Sequence, residues 1–158
     1  MLLQELKKQL SRENPAQEDV REKVRNLAVE LRLLEGAAGE VQARIGVVEA
    51  ALREFNLATA TIRGLEELKI DDEILVPIGA GSYVKAKLAD TEKVLVNVGA
   101  GVTAEKNVKD ALTLLENQIN ELEKMRGNLQ QQFTQILERM EVLRSELRKF
   151  SQQMQTGT

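Results

Sequence analysis

The sequence predicts an α+β fold, a long antiparallel α-helical coiled-coil hairpin carrying two central β-hairpins. Three observations lead there. About half of the chain, 80 of 158 residues, is Ala, Glu, Lys, Leu or Arg, a composition typical of long helices. Two stretches of equal length carry an apolar residue at alternating steps of three and four, the a/d seam of helices that supercoil around a partner. Between them the hydrophobic period shortens to two and glycines cluster, as in strands joined by tight turns.

Residues 1–14 form an N-terminal amphipathic segment in which Leu3, Leu6 and Leu10 share one face if it is helical. Pro15 separates it from the first long helix, because proline inside a helix costs about 3 kcal/mol. The first coiled-coil helix spans residues 15–63, with Asn14 as cap, Pro15 at its first position and Gln17, Glu18 and Asp19 complementing its positive end. Its seam runs Val20, Val24, Leu27, Leu31, Leu34, Ala38, Val41, Ile45, Val48, Leu52, Phe55, Thr59 and Ile62. Gly64 is placed to end it.

Residues 64–107 form the hub. Residues 74–78 and 82–88 read as one strand pair around Gly79-Ala80-Gly81, and residues 93–98 and 102–105 as a second around Gly99-Ala100-Gly101. Leu75-Val76-Pro77-Ile78-Gly79-Ala80-Gly81 repeats as Leu95-Val96-Asn97-Val98-Gly99-Ala100-Gly101 at an offset of 20. Two lone hairpins leave edges unpaired and little to bury against, so partner strands are expected.

Asn107 and Asp110 open the second helix, which with its tail occupies residues 108–158. Its seam is Val108, Leu112, Leu115, Ile119, Leu122, Arg126, Leu129, Phe133, Ile136, Met140, Leu143, Leu147 and Phe150, broken clearly only by Arg126. Each seam covers 43 residues, ~64 Å at 1.5 Å per residue, against ~39 Å for a globule of this chain length. Residues 20–62 hold six basic and six acidic groups and residues 108–150 seven of each, the balance of solvated helix flanks.

Function classes narrow by elimination. With no Cys and no His, disulfide scaffolds, thiolate or imidazole metal sites and Ser-His or Cys-His nucleophiles are excluded, and no enzymatic activity, cofactor or metal is expected. A net charge of −3 and only four aromatic rings argue against nucleic acid as a partner. No apolar run approaches the ~20 residues of a membrane span, and the start lacks a signal peptide, so a soluble cytoplasmic protein without a membrane partner is expected. Gly99-Ala100-Gly101-Val102-Thr103-Ala104 fits a dinucleotide-binding spelling, but one long helix comes after it, with no second parallel strand. Turn glycines with positive φ explain both copies. Asp71, Asp72 and Glu73 read as a solvated loop rather than a cation site. Gly36, Gly39 and Gly46 fall at solvent-facing heptad positions, and Gly127 lies at about the same height on the returning helix if the seams align end to end. Arg126 reads equally as a register device or as a side chain that snorkels to solvent.

Residues 74–86 and 96–102 closely resemble the central region of the archaeal prefoldin alpha subunits, of the prefoldin/GimC chaperone family. The layout, helix then two hairpins then helix, is similar over nearly the whole chain. The resemblance implies hairpins that assemble into an oligomeric β-barrel platform, with two alpha and four beta subunits in a hexamer. It further implies an ATP-independent molecular chaperone that binds unfolded client polypeptides at coiled-coil tips and delivers them to a group II chaperonin. On this sequence the client surface would fall on Leu2, Leu3, Leu6, Leu10, Met140, Leu143, Leu147, Phe150 and Met154. Assembly would fall on Leu75, Val76, Ile78, Val84, Leu88, Leu95, Val96, Val98 and Val102. The alternative is a structural coiled-coil spacer without client binding.

Overall fold

A computed structural model describes residues 1–5 and 15–156. Two long helices, α1 (Pro15–Gly64) and α2 (Val108–Thr156), flank four strands. These are β1 (Glu73–Gly79), β2 (Ser82–Lys87), β3 (Lys93–Gly99) and β4 (Val102–Asn107). A single helical turn at residues 2–5 precedes them. Asn14, the expected cap of the first helix, and Leu6 and Leu10 lie outside the described residues.

The chain divides into two compact units, one of Met1–Ile45 with Asn128–Thr158 and the other of Gly46–Gly127. In the first, the seam closes as the heptads require. Ala38, Val41, Leu129, Met140 and Leu143 are buried, and Leu143 is inaccessible to solvent. Their seam neighbours Leu27, Leu31, Leu34, Phe133 and Ile136 are half-buried, because two helices alone leave no third layer to cover the sides of the seam. Flanking charges cross between the helices: Arg139 Nε donates to Glu30 Oε1 at 2.8 Å and Arg144 reaches Glu35 at 3.5 Å. Exposed pairs of this kind contribute about 0–1 kcal/mol each, so they tune register while the apolar seam supplies cohesion.

In the second unit the helices meet the sheet. Ile62 of α1, Ala111 and Leu115 of α2 and Val96 of β3 form a buried cluster, with Phe55, Ala58, Val94, Val108 and Leu112 packed against it. Thr59, a polar seam residue, is buried and donates its hydroxyl to Phe55 O at 2.9 Å, so it carries no unmet hydrogen bond into the seam. Ala111 is fully buried; only a small side chain fits where β3 lies against the helix.

Each hairpin is a separate two-stranded antiparallel sheet, β1 with β2 and β3 with β4. Registers match: Glu73 pairs with Lys87 and Pro77 with Tyr83, as Lys93 pairs with Asn107 and Asn97 with Thr103. Both turns have positive φ at three successive residues, 99°, 50° and 71° at Gly79, Ala80 and Gly81, and 114°, 50° and 74° at Gly99, Ala100 and Gly101. The last two of each set are the central residues of a type I′ turn, whose twist suits a hairpin, and the first sits at a register shift.

Helix ends obey side-chain chemistry at one place and depart from expectation at another. Asn107 Oδ1 accepts from Asp110 N at 2.8 Å while its amide donates to Asp110 Oδ2 at 2.9 Å, a reciprocal cap for α2. Gly64 does not end α1 by turning left-handed: it stays helical at φ −64°, and the chain runs on through a 3-10 turn, Leu65–Glu67. Extended Leu68 then stops it, with its N–H bonded to Leu65 O at 3.1 Å. Tightening of the last turn satisfies carbonyls that a glycine cap would otherwise have met. Arg126 is half-buried and lies 3.9 Å from Glu123 of its own helix, so its charge leans along the surface rather than entering the seam.

Candidate functional site: an apolar assembly surface

Along β3 the strand alternation turns one face inward and leaves the other open. Val94 and Val96 turn toward the helices, whereas Leu95 is 73% exposed. In the first hairpin Leu75 and Ile78 are exposed at 61% and 62%, and Val76 and Val84 lie open as well, as do Val98 and Val102 in the second. Seven of the nine residues expected to carry assembly therefore sit on the surface of the unit. Two do not. Val96 belongs to the internal core, because its parity on β3 points it at Ile62 and Ala111. Leu88 is half-buried in the loop after β2, where its N–H donates to Asp72 O at 3.0 Å.

Apolar side chains grouped this densely on two small sheets mark a surface meant for contact rather than for water. A groove of ≈ 990 Å³ adjoins them, with Phe55, Leu57, Ala58 and Ile62 of α1 on one side and Val94, Leu95 and Asn97 of β3 on the other. The sequence reading missed Leu57, 69% exposed and off the seam, and Tyr83, 58% exposed. The signal for Leu57 was its heptad position, opposite the seam, where nothing within the chain calls for a leucine.

Polar groups of the hub are engaged in shaping loops. Asp72 Oδ2 accepts from Lys69 N at 2.8 Å, Asp71 takes the left-handed φ of 73° and donates its N–H to Leu88 O at 2.9 Å, and Glu73 pairs with Lys85 at 3.2 Å. Asp90 Oδ1 accepts from Glu92 N at 2.7 Å and Lys93 N at 3.2 Å. These bonds, the one from Glu92 foremost, hold its carboxyl below the usual carboxylate range. Among the described residues no group of three or more acidic side chains is placed to hold a metal ion.

At the chain ends seven of the nine residues expected to meet clients are described, and they separate into three groups. Leu2, Leu3 and Met154 are exposed at 78%, 75% and 51%. Leu147 and Phe150 are half-buried. Met140 and Leu143, buried at 5% and 0% exposure, are seam residues that close the coiled coil, which corrects their expected place on an open surface. Beside Phe150 lies a smaller groove of ≈ 450 Å³ bordered by Lys23, Leu27, Glu146 and Lys149.

Long heptad helices and two hairpins with exposed apolar side chains define a subunit of the kind that assembles by contact. Comparison with known proteins agrees. The family pattern described as Prefoldin subunit matches residues 34–153. Prefoldin subunit alpha of Methanopyrus kandleri is 34% identical over 119 residues, 75% of this chain and 76% of that protein. Prefoldin subunit alpha of Methanosarcina mazei is 32% identical over 134 residues, 83% of this chain and 94% of that protein. Among solved structures, a chain of filamentous PFD from Methanocaldococcus jannaschii superposes with a TM-score of 0.63 at 28% identity, covering 74% of this chain and 97% of that one. The chain belongs to the prefoldin family, a family of chaperones rather than enzymes.

Proposed function

We propose that the chain is an alpha-class prefoldin subunit that assembles through its hairpins and holds unfolded polypeptides without ATP for transfer to a group II chaperonin. The observation that carries this reading is the division of apolar surface. The hairpins keep Leu75, Ile78, Leu95 and Val102 out of the chain's own core, and Leu2, Leu3 and Met154 remain exposed near the termini. Hairpin contacts build the platform with other prefoldin subunits, two alpha and four beta in the hexamer that the family resemblance implies, working in the cytoplasm. The terminal side chains, together with Leu6, Leu10, Leu147 and Phe150, provide client contact. Met140 and Leu143 act beneath that surface by fixing the helices that present it. Flexible Leu and Met side chains suit a surface that accepts many partners. Several weak contacts on separate subunits give avidity through effective concentration, while each alone releases readily.

The test mixes the purified chain with a beta subunit, measures the mass of the complex and monitors aggregation of a denatured protein. Full suppression by the complex, lost when Leu2, Leu3, Phe150 and Met154 are changed together to serine with the mass unchanged, is the expected result. A complex of correct mass that suppresses nothing refutes the client-holding role and leaves a structural spacer.

A further inference from the structure

The two long helices carry different residues on the sides that face away from their seams. With the seam at heptad positions a and d, that side is made of positions b, c and f. On α2 every such position from 117 to 141 is polar apart from Gly127, as suits a solvated surface. On α1 the same positions from 29 to 64 are small or apolar, except Arg32, Glu40, Arg53, Glu54 and Thr61. They hold all four exposed large apolar residues of that helix, Val29, Leu33, Val47 and Leu57, and all four of its glycines, Gly36, Gly39, Gly46 and Gly64. No atom of the chain comes within 4 Å of a Cβ built at any of these glycines, so nothing internal calls for them. Glycine weakens a helix interior, yet four stand on the one face that also exposes leucine and valine.

Side-chain size along this face is complementary to itself. When a second α1 crosses the first antiparallel, with the midpoint between Gly46 and Val47, positions b and c of one copy share layers with c and b of the other, and f meets f. Val29 then falls opposite Gly64, Leu33 opposite Ala60, Leu57 opposite Gly36, Val47 opposite Gly46 and Ala43 opposite Ala50. Each exposed large side chain has a glycine or alanine across from it, so the helix axes can approach to about 8 Å, the close end of helix packing. Charge agrees with size. Glu40 shares a layer with Arg53 of the other copy, with Glu54 and Arg44 beside them, two acids against two bases at either end of the contact. A slide of one heptad loses the match, setting Leu57 against Val29 in one direction and Gly36 against Gly64 in the other.

We infer that the outer face of α1 binds the same face of a second copy of this chain, antiparallel, about a twofold axis between Gly46 and Val47. The contact is isologous, so it closes as a pair. It uses neither the hairpin strands nor Leu2, Leu3 and Met154, and it goes beyond the assembly reading without resting on it. Because the paired helices run in opposite directions, the two copies belong to two different platforms, and each platform keeps its closed form.

The chain has no cysteine, so single introduced thiols read the register directly. In the full chain under mild oxidation, V47C, beside the axis, links to its own counterpart; L57C alone does not, and L57C mixed with G36C does. R53E gathers three acids at each end of the contact and lowers the V47C cross-link yield at least tenfold, with helix content by circular dichroism unchanged, and E40R in the same chain restores the yield. Alanine at Gly36 and Gly46 stiffens the dissociated helix but crowds the contact, so melting of the dilute chain rises while the cross-link yield falls. L57C linking to itself as readily as V47C overturns the antiparallel register. V47C linking no faster than N128C, on the polar side of α2, overturns the contact itself, as does a V47C yield indifferent to R53E.

Discussion

Neighbouring residues on β3 supply the sharpest test of how the hub is built. Val96 is 6% exposed in a cluster with Ile62, Ala111 and Leu115, and Leu95 beside it is 73% exposed. Truncating Val96 to alanine removes two buried methyl groups, about 1.6 kcal/mol at ~0.8 kcal/mol per group, and the remaining cavity raises the cost to about 2–3 kcal/mol. For a chain of this size that is a fall of roughly 4–12 °C in melting temperature at 2–4 °C per kcal/mol. Leu95→Ala removes more apolar bulk but from a surface, so within the chain it costs less than about 0.5 kcal/mol. Its cost belongs to the assembly, where covering a leucine contributes about 1.5–3 kcal/mol. Denaturant unfolding over a hundredfold range of protein concentration separates the two. The V96A deficit is the same at every concentration, whereas the L95A deficit changes with concentration because it acts on association. If V96A lowers the oligomer's mass without moving the dilute-limit midpoint, or L95A destabilises the dissociated chain by as much as V96A, the assignment of the two faces is wrong.

Single positions carry the other expectations. Leu143→Ala in the coiled coil costs about 2–5 kcal/mol, read by the urea midpoint, while Leu3→Ala leaves that midpoint unchanged. Ala100 sits at φ 50°, a left-handed conformation that costs a residue with a Cβ about 1–2 kcal/mol; A100G relieves it and, after glycine's greater freedom in the unfolded chain, raises stability by a few tenths to about 1 kcal/mol, measured by thermal melting. Nothing lies within 4 Å of a Cβ built at Gly36, Gly39 or Gly46, so replacing all three with alanine raises stability by about 3 kcal/mol in the same assay, and a loss instead would reveal a neighbour at that face. Asp90, whose carboxyl the Glu92 and Lys93 amides hold below its ordinary range, stabilises the turn when ionised. That contribution is complete above the unfolded pKa of about 3.9 and disappears as pH falls through the lower folded value. D90N is accordingly less stable than wild type at neutral pH, and the gap closes on acidification below about pH 4; a gap constant with pH refutes the role of the charge.

The long seams, the four strands and the two glycine turns were legible because each rests on local periodicity: 3.5 for α1 and α2, two for the hub, and positive φ demanded by turn chemistry. The prefoldin resemblance was legible in residues 74–86 and 96–102 for the same reason. Less was legible where an outcome depends on what lies across from a residue. Val96 and Leu95 are both β-compatible apolar residues, and only the helices decide which of them is core. Met140 and Leu143 obey the seam and yet stand near a chain end, where the expectation of open surface outweighed the seam pattern; packing reversed it. Gly64 looked like a cap, but a 3-10 turn and Leu68 meet the end of α1.

By itself the sequence determined that this chain is two heptad arms around a twinned β hub, because periodicity, capping and turn preferences act over a few residues and are written in order along the chain. The tertiary structure alone decided which apolar residues remain outside. Burial requires a partner surface, and whether Leu95 meets water or Val96 meets Ile62 depends on the side of a strand that faces the helices.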